Sequence, residues 1–272
     1  MSFRNIVAGA VVAFGMTMGS SSFAATIVNL GFAIDHSGSI VDNINRPDFT
    51  RQKQGLANAL ALIPTDNPDV QYRVGVISFG GSVHTLAGPT LINSAADITT
   101  IQEAITSFNR SSPGVNTSWT YTGDAINALT GMFSDIDSTL TLFNLSTDGS
   151  PNGPNNWEAA SANAFAAGVD SISFEMIGSF GQAQINTMLD LAGPDAIHIT
   201  DAADLPNATE QGFVFEVASF EDYEAAIAAK IGQIVEDTGG GTTPIPLPAS
   251  LPLLLAGLGL VGGLRLRRKH AA

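Results

Sequence analysis

The chain has 272 residues, of which 44% are apolar, and no cysteine. That is enough for one large domain with trailing segments, and it excludes a fold stapled by disulfides. Formal net charge is −14. Because five of the 11 basic residues sit at the chain ends (Arg4, Arg265, Arg267, Arg268 and Lys269), the middle carries about −19, which excludes binding to nucleic acid phosphates and favours cations.

The first segment has the composition of an export signal. Arg4 supplies the positive start, Ile6 to Met18 a short apolar stretch, and Ser22-Phe23-Ala24 small residues at both recognition positions of a cleavage site. Residues 1–24 are therefore expected to be a signal peptide, and the protein to be exported.

From Thr26 the chain alternates strands and helices. Thr26 to Ile34 is an apolar run suited to a buried central strand. Phe49, Leu56, Leu60 and Ile63 share one helix face, and Tyr72 to Phe79 is the next strand. Ser82 to Leu86, after the Gly80-Gly81 turn, predicts a short antiparallel edge strand. Asp97 is expected to cap a helix whose core stripe is Ile98, Ile101, Ile105 and Phe108. Ile126, Leu129 and Phe133 mark a further helix, and Leu140 to Ser146 a strand that ends at Asp148-Gly149. Trp157 to Gly168 predicts a small-residue helix, Ser171 to Ile177 a strand, and Gln182 to Ala192 a helix. Residues 193–212 are expected to hold at most a short strand, Ile197 to Thr200, and an inserted loop. Phe213 to Val217 is the last main strand, and Ser219 with Asp222 starts a final helix through Tyr223, Ile227, Ile231 and Ile234. This alternation implies a doubly wound, mostly parallel α/β sheet with helices on both faces. Ligands of such sheets sit beyond the carboxyl ends of the strands, where the strand order reverses.

Three motifs lie at such ends. Asp35-His36-Ser37-Gly38-Ser39 follows the first strand, Thr120-Tyr121-Thr122-Gly123-Asp124-Ala125-Ile126 opens a helix, and Leu145-Ser146-Thr147-Asp148-Gly149 closes a strand. Each alone is an ordinary cap or turn. Together and in this order they resemble the von Willebrand factor type A family with its metal-ion-dependent adhesion site, over roughly residues 26–236. The resemblance implies a Rossmann-like fold and a divalent cation held by Asp35, Ser37, Ser39, Thr120 and Asp148. It implies that Ser37 and Ser39 coordinate directly, Thr120 directly or through water, and Asp35 and Asp148 largely through water. The segment before Thr120, Asn116-Thr117-Ser118-Trp119, departs from the glycine-rich lead-in of many members, so Thr117 and Thr122 stay as alternatives. All-oxygen ligands suit Mg²⁺, with Mn²⁺ or Ca²⁺ as substitutes. Asp35 ends its strand, so its carboxylate is expected at the rim of the sheet and outside the core. Trp119 is expected either to line the ligand face or to pack within its loop.

Beyond Asp237 the composition changes. Gly239-Gly240-Gly241-Thr242-Thr243 begins a linker over 238–245. Pro246-Leu247-Pro248-Ala249, an apolar run from Leu251 to Leu264 and a basic tail follow. This order resembles the PEP-CTERM class of sorting signals in its Val-Pro-Leu-Pro-Ala variant, with Ile245 in place of Val. Residues 246–272 would then be recognised by an exosortase-type enzyme, touch the inner membrane through a transmembrane helix, and leave residues 25–237 at the surface or in the extracellular matrix.

The expected function is binding or adhesion to an exposed carboxylate of an extracellular protein or polysaccharide. A matrix scaffold stabilised by its metal is the alternative. An enzyme is not expected: the four histidines, His36, His84, His198 and His270, lack zinc-ligand spacing, and the chain holds no serine-hydrolase elbow and no phosphate loop.

Overall fold

A computed structural model describes residues 25–153 and 156–240. In chain order the strands are β1 (Thr26–Asp35), β2 (Val70–Phe79), β3 (Val83–Leu91), β4 (Leu140–Thr147), β5 (Ser171–Ile177), β6 (Ile197–Ile199) and β7 (Phe213–Val217). The helices are α1 (Asp48–Ala59), α2 (Ala95–Ser107), α3 (Thr122–Phe133), α4 (Trp157–Ala166), α5 (Gln182–Ala192) and α6 (Tyr223–Asp237). The strands form one sheet in the order β3-β2-β1-β4-β5-β7-β6. Among the described strands, β2 and β3 alone pair antiparallel.

The sheet is buried on both faces because its strands are apolar on both. Along β1, Val28, Leu30, Phe32 and Ile34 join Phe49 and Leu56 of α1, Ile101 of α2 and Ile227 of α6 in one core. The opposite core packs Ala33, Phe143 and Phe174 against Leu129 of α3, Ala164 of α4 and Met188 of α5. Glycine sets how close α3 comes: a Cβ at Gly31 would lie 3.2 Å from Leu129 and Phe133, and one at Gly75 2.4 Å from Met132. Only a residue without a side chain admits the helix there.

Several local expectations need correction. The edge strand β3 has nine residues, all at least partly open to solvent, and pairs with the mostly buried β2 along most of its length. Asp97 is not the helix cap. Ser94 holds that position, and Asp97 stands in the first turn, where its carboxylate accepts from Asn93 N (3.0 Å) and Ser94 Oγ (2.9 Å). The final helix begins at Tyr223, after a turn in which Ser219 Oγ donates to Asp222 (2.7 Å). Residues 193–212 supply β6, which pairs parallel with β7 and closes that edge.

Strand order reverses between β1 and β4, whose parallel register sets Ile34 beside Ser146. Asp35 and Thr147 therefore end neighbouring strands. Between α2 and α3 the chain changes faces, since their apolar stripes belong to opposite cores. The crossing segment, residues 108–121, passes over the carboxyl ends of the strands and carries Thr120. Among the described residues, no helix is long and apolar enough to cross a membrane. The segments expected to be a signal peptide (1–24) and a sorting signal with a transmembrane helix (246–272) lie outside the described residues.

Candidate metal centre

The loop after β1 turns back on itself through its own side chains. Asp35 Oδ1 accepts from Ser37 N (2.6 Å), and Ser37 Oγ meets Ser39 Oγ at 3.0 Å. Ser39 Oγ donates to Asp148 Oδ1 (2.6 Å), which joins this loop to the end of β4. Thr147 Oγ1 donates to Asp35 Oδ2 (2.6 Å) and ties the same two strands one step deeper. Asp35, Ser37, Ser39 and Asp148 thus form one continuous cluster, with Ser37 buried and Ser39 open to solvent.

Asp35 corrects its expectation: the carboxylate is fully buried and does not lie at a solvent rim. Strand order explains this. β1 is central, and the loops of β2, β4 and residues 116–121 close over its end. Burial is the largest cause that pushes the Asp35 carboxyl up to about 7, partly offset by the bonds from Thr147 and Ser37. Burial also raises Asp148, against the bond from Ser39. Two carboxylates held this way in one cluster favour a nearby cation.

Thr120 lies in the crossing segment and is buried, and its hydrogen bonds run to Asn152 rather than to the cluster of Asp35, Ser37, Ser39 and Asp148. Its N–H donates to Asn152 Oδ1 (2.8 Å), its carbonyl accepts from Asn152 N (3.2 Å), and its Oγ1 faces Asn152 Nδ2 at 3.4 Å. Of the two alternatives, Thr117 contributes its carbonyl to Gly38 N (2.7 Å). Thr122 opens α3, with Oγ1 buried and unpartnered among the described residues, as is Ser150 Oγ beyond Asp148.

His36, Asn116 and Arg110 are structural parts of the site that the sequence did not single out. His36 is buried, with Nδ1 2.8 Å from Ser78 Oγ and Nε2 3.2 Å from the Asn116 carbonyl. Burial is the main cause that lowers its pKa to about 4, so the ring is neutral near pH 7. A proton on Nε2 lets Nε2–H donate to Asn116, and Nδ1 competes with the Ile34 carbonyl (3.1 Å) for the single Ser78 hydroxyl hydrogen. The Asn116 carbonyl also accepts from Gly81 N (2.7 Å), and Asn116 N donates to Ser82 Oγ (2.9 Å). His36 and the Gly80-Gly81 turn together hold the segment that carries Thr120. Arg110 clamps the other side by donating to the carbonyls of Ile40 and Ser37, the latter at 3.0 Å. Its scarcity was the available signal, since it is one of six basic residues between 25 and 240.

Among the described residues, no group of three or more His, Cys, Asp or Glu side chains forms a metal cage. The cluster offers hydroxyls and two carboxylates. That donor set fits a hard divalent ion that keeps some of its water, and it gives a softer metal no nitrogen or sulfur ligand.

Comparison with known proteins places the fold. The chain resembles proximal thread matrix protein 1 from the mussel byssus at 20% identity and a TM-score of 0.55, over 77% of this chain and 47% of that one. A further structure of that mussel protein is described as having a zinc-occupied MIDAS motif. It also resembles BatB from Bacteroides thetaiotaomicron (15%, TM-score 0.54), over 79% of this chain and all of that one. The pilus adhesin SpaC from Lactobacillus rhamnosus GG aligns at 14% and a TM-score of 0.54, over 79% of this chain and 30% of that one. No curated protein matches the sequence. The chain thus spans about half of the mussel protein and a third of the adhesin. The von Willebrand factor type A domain profile matches residues 29–229. With that match over most of its length and the doubly wound sheet above, the chain belongs to the von Willebrand factor type A domain family.

Proposed function

We propose that this domain is an exported adhesion module that grips a carboxylate of an extracellular protein or polysaccharide through a divalent cation, Mg²⁺ in the first place, at Asp35, Ser37, Ser39, Thr120 and Asp148. One observation carries the reading: Ser39 Oγ lies within hydrogen-bond distance of both Ser37 Oγ (3.0 Å) and Asp148 Oδ1 (2.6 Å), so oxygens from two elements meet at one point. Ser37 and Ser39 are the direct ligands, Thr120 closes the site, and Asp35 and Asp148 orient the hydroxyls and the ion's water. When bound, the ion supplies an open coordination position for a partner's carboxylate. Because the inner carboxylate, Asp35, is engaged by Ser37 N and Thr147 Oγ1, the ion would keep much of its positive charge. The zinc-occupied motif of the mussel protein and the adhesin function of SpaC support this reading by likeness of fold.

The reading is non-enzymatic. Metal-assisted hydrolysis needs a free general base beside the ion, and the nearest imidazole, His36, has both ring nitrogens engaged. The reading also includes cleavage after residue 24 and exosortase processing within 246–272, so intact-mass measurement of the exported product should show neither end. Material ending at Ala272 outside the cell contradicts the processing. The function is tested by binding of the protein to surfaces that carry clustered carboxylates, with Mg²⁺ and then with chelator. Binding that vanishes on chelation while circular dichroism is unchanged supports adhesion. Metal-induced stabilisation with no carboxylate binding at all would favour the scaffold.

A further inference from the structure

The metal cluster opens onto a second feature. Asp148 also lines a cavity of about 300 Å³ beyond the carboxyl ends of β5 and β7, bounded by Arg46, Arg51, Ser179, Phe180, Ser219 and Glu221. One wall is the β1–α1 loop, whose tip is a tight turn. Asn43 Oδ1 accepts from Asn45 N (2.9 Å) and Arg46 N (3.0 Å), and the Asn43 and Arg46 backbones exchange two hydrogen bonds (3.0 and 3.2 Å). A turn pinned in this way presents its tip in one conformation. The tip residue, Ile44, is 97% exposed. In the crossing segment, next to Thr120, Trp119 is 44% exposed and stacks on Tyr121 with ring centroids 6.4 Å apart. Two of the four exposed large apolar side chains among the described residues thus belong to the loops that build the metal cluster.

Three of the six basic residues of the described domain lie on the same face, where the cavity is also lined by Asp48, Asp148 and Glu221. Of six basic residues between 25 and 240, Arg110 borders the cluster and Arg46 and Arg51 border the cavity, in a stretch that holds all 25 acidic residues. Their commitments differ. Arg110 holds two loop carbonyls. Arg51 is shared between Asp48 and Glu221, at 3.4 and 2.7 Å. Arg46 touches Asp48 through Nη2 alone (2.7 Å), and its side chain is 63% exposed. Most of its donor fork is therefore open to a ligand, and a guanidinium fork matches a carboxylate with two parallel bonds.

On the metal-grip reading above, we propose that this cavity is a second anion subsite, and that the partner is an acidic protein segment with one carboxylate at the metal cluster and a second on Arg46, flanked by an apolar side chain against Ile44. A protein is favoured over a polysaccharide by the composition of the rim. Ile44 offers only hydrocarbon, which a hydroxyl-rich sugar cannot bury and an apolar side chain can. Tryptophan and arginine are also the side chains that dominate protein interfaces.

The test uses the full-length protein in Mg²⁺ with defined probes. These are synthetic peptides with a Leu-Asp pair, the same peptides with a second acid at increasing separations, and oligo-guluronate as the sugar arm. One separation should bind about tenfold tighter than the single acid, the scale of one charge-assisted contact. Arg46→Ala should erase that advantage, Arg46→Lys should restore part of it, and Ile44→Ser should weaken every Leu-containing peptide. None of the three variants should change the melting shift produced by Mg²⁺ alone, which also shows that each is folded. Equal binding of single-acid and double-acid peptides, or a full advantage in Arg46→Ala, overturns the second subsite and leaves the metal grip standing. Tighter binding of oligo-guluronate than of every peptide overturns the protein partner. Loss of the Mg²⁺ shift in the unaltered protein instead removes the metal reading on which the proposal rests.

Discussion

At the scale of single residues, the identity of Asp35 was legible and its environment was not. An Asp-x-Ser-x-Ser run after an apolar strand names the residue, but burial depends on three loops distant in sequence that close over it. The consequence is a proton linkage. Asp35 is pushed up to about 7, chiefly by burial, so the metal-free fold holds a proton that the unfolded chain releases near pH 4. A raised carboxyl pKa makes the metal-free fold most stable below the unfolded value, and that stability is lost as pH rises toward 7. A cation binds the ionised form. Mg²⁺ affinity should therefore be level above about pH 7 and fall by up to about tenfold per pH unit below it. Titration calorimetry at several pH values checks this, and an affinity that is flat from pH 7 to pH 5 contradicts it. The same burial changes what a substitution tests. Asp35→Ala would leave Ser37 N without its acceptor, while Thr147 Oγ1 keeps its bonds to Gly149, so it should lower stability by about 1–3 kcal/mol besides removing an anchor for the ion. Ser39→Ala at the open side is the cleaner probe.

At the scale of elements, strand and helix positions were legible because each carries its own apolar period. How one loop holds another was not, because that contact has no period. His36 was read only as a loop histidine without zinc-ligand spacing, yet it bonds to Asn116, 80 positions later. The Gly80-Gly81 turn makes room for it. A Cβ at Gly80 would lie 2.7 Å from the His36 ring and 3.0 Å from the Asn116 carbonyl. Gly80→Ala should therefore displace the Thr120 segment, cost about 1–3 kcal/mol in urea unfolding, and weaken Mg²⁺ binding. An unchanged affinity would show that the segment is held otherwise. The helix α6 has its own concealed device. Lys230 and Glu175, both fully buried, form an ion pair between α6 and β5. Burial pushes Glu175 up and Lys230 down, and their mutual attraction works against both shifts. Lys230→Met should destabilise by about 3–5 kcal/mol, because it leaves Glu175 buried alone. Adding Glu175→Leu should recover most of the loss. A double variant as unstable as the single one would mean that the pair is needed for packing as such. From sequence, Lys230 lies inside an amphipathic helix and looks like any solvated charge.

At the scale of the molecule, fold class followed from alternation alone, and the place of the site followed from the fold. A parallel sheet that reverses order between β1 and β4 brings Asp35, Ser39 and Asp148 together, because those residues end or follow adjacent strands. Thr120 lies in the segment that crosses from one face to the other above that point, and its place in the metal site is part of the proposal. Asp195 sits in the loop before β6, at the opposite end of the parallel strands. Asp195→Ala should therefore leave metal and carboxylate binding nearly unchanged, which separates a local effect from general loss of negative charge. The acidity of the whole domain raises cation concentration near its surface, but it does not choose the place.

The central claim is that Ser37, Ser39, Thr120, Asp35 and Asp148 make one divalent-cation site. Thermal melting of the protein with and without Mg²⁺, beside Ser39→Ala, tests it most directly. Free metal at 100 times its dissociation constant should stabilise the unaltered protein by about 2.7 kcal/mol, a rise of roughly 5–10 °C for a domain of this size. Ser39→Ala should melt near the same metal-free temperature and lose most of the rise. No rise at saturating Mg²⁺ or Mn²⁺, or an equal rise in Ser39→Ala, would contradict the site.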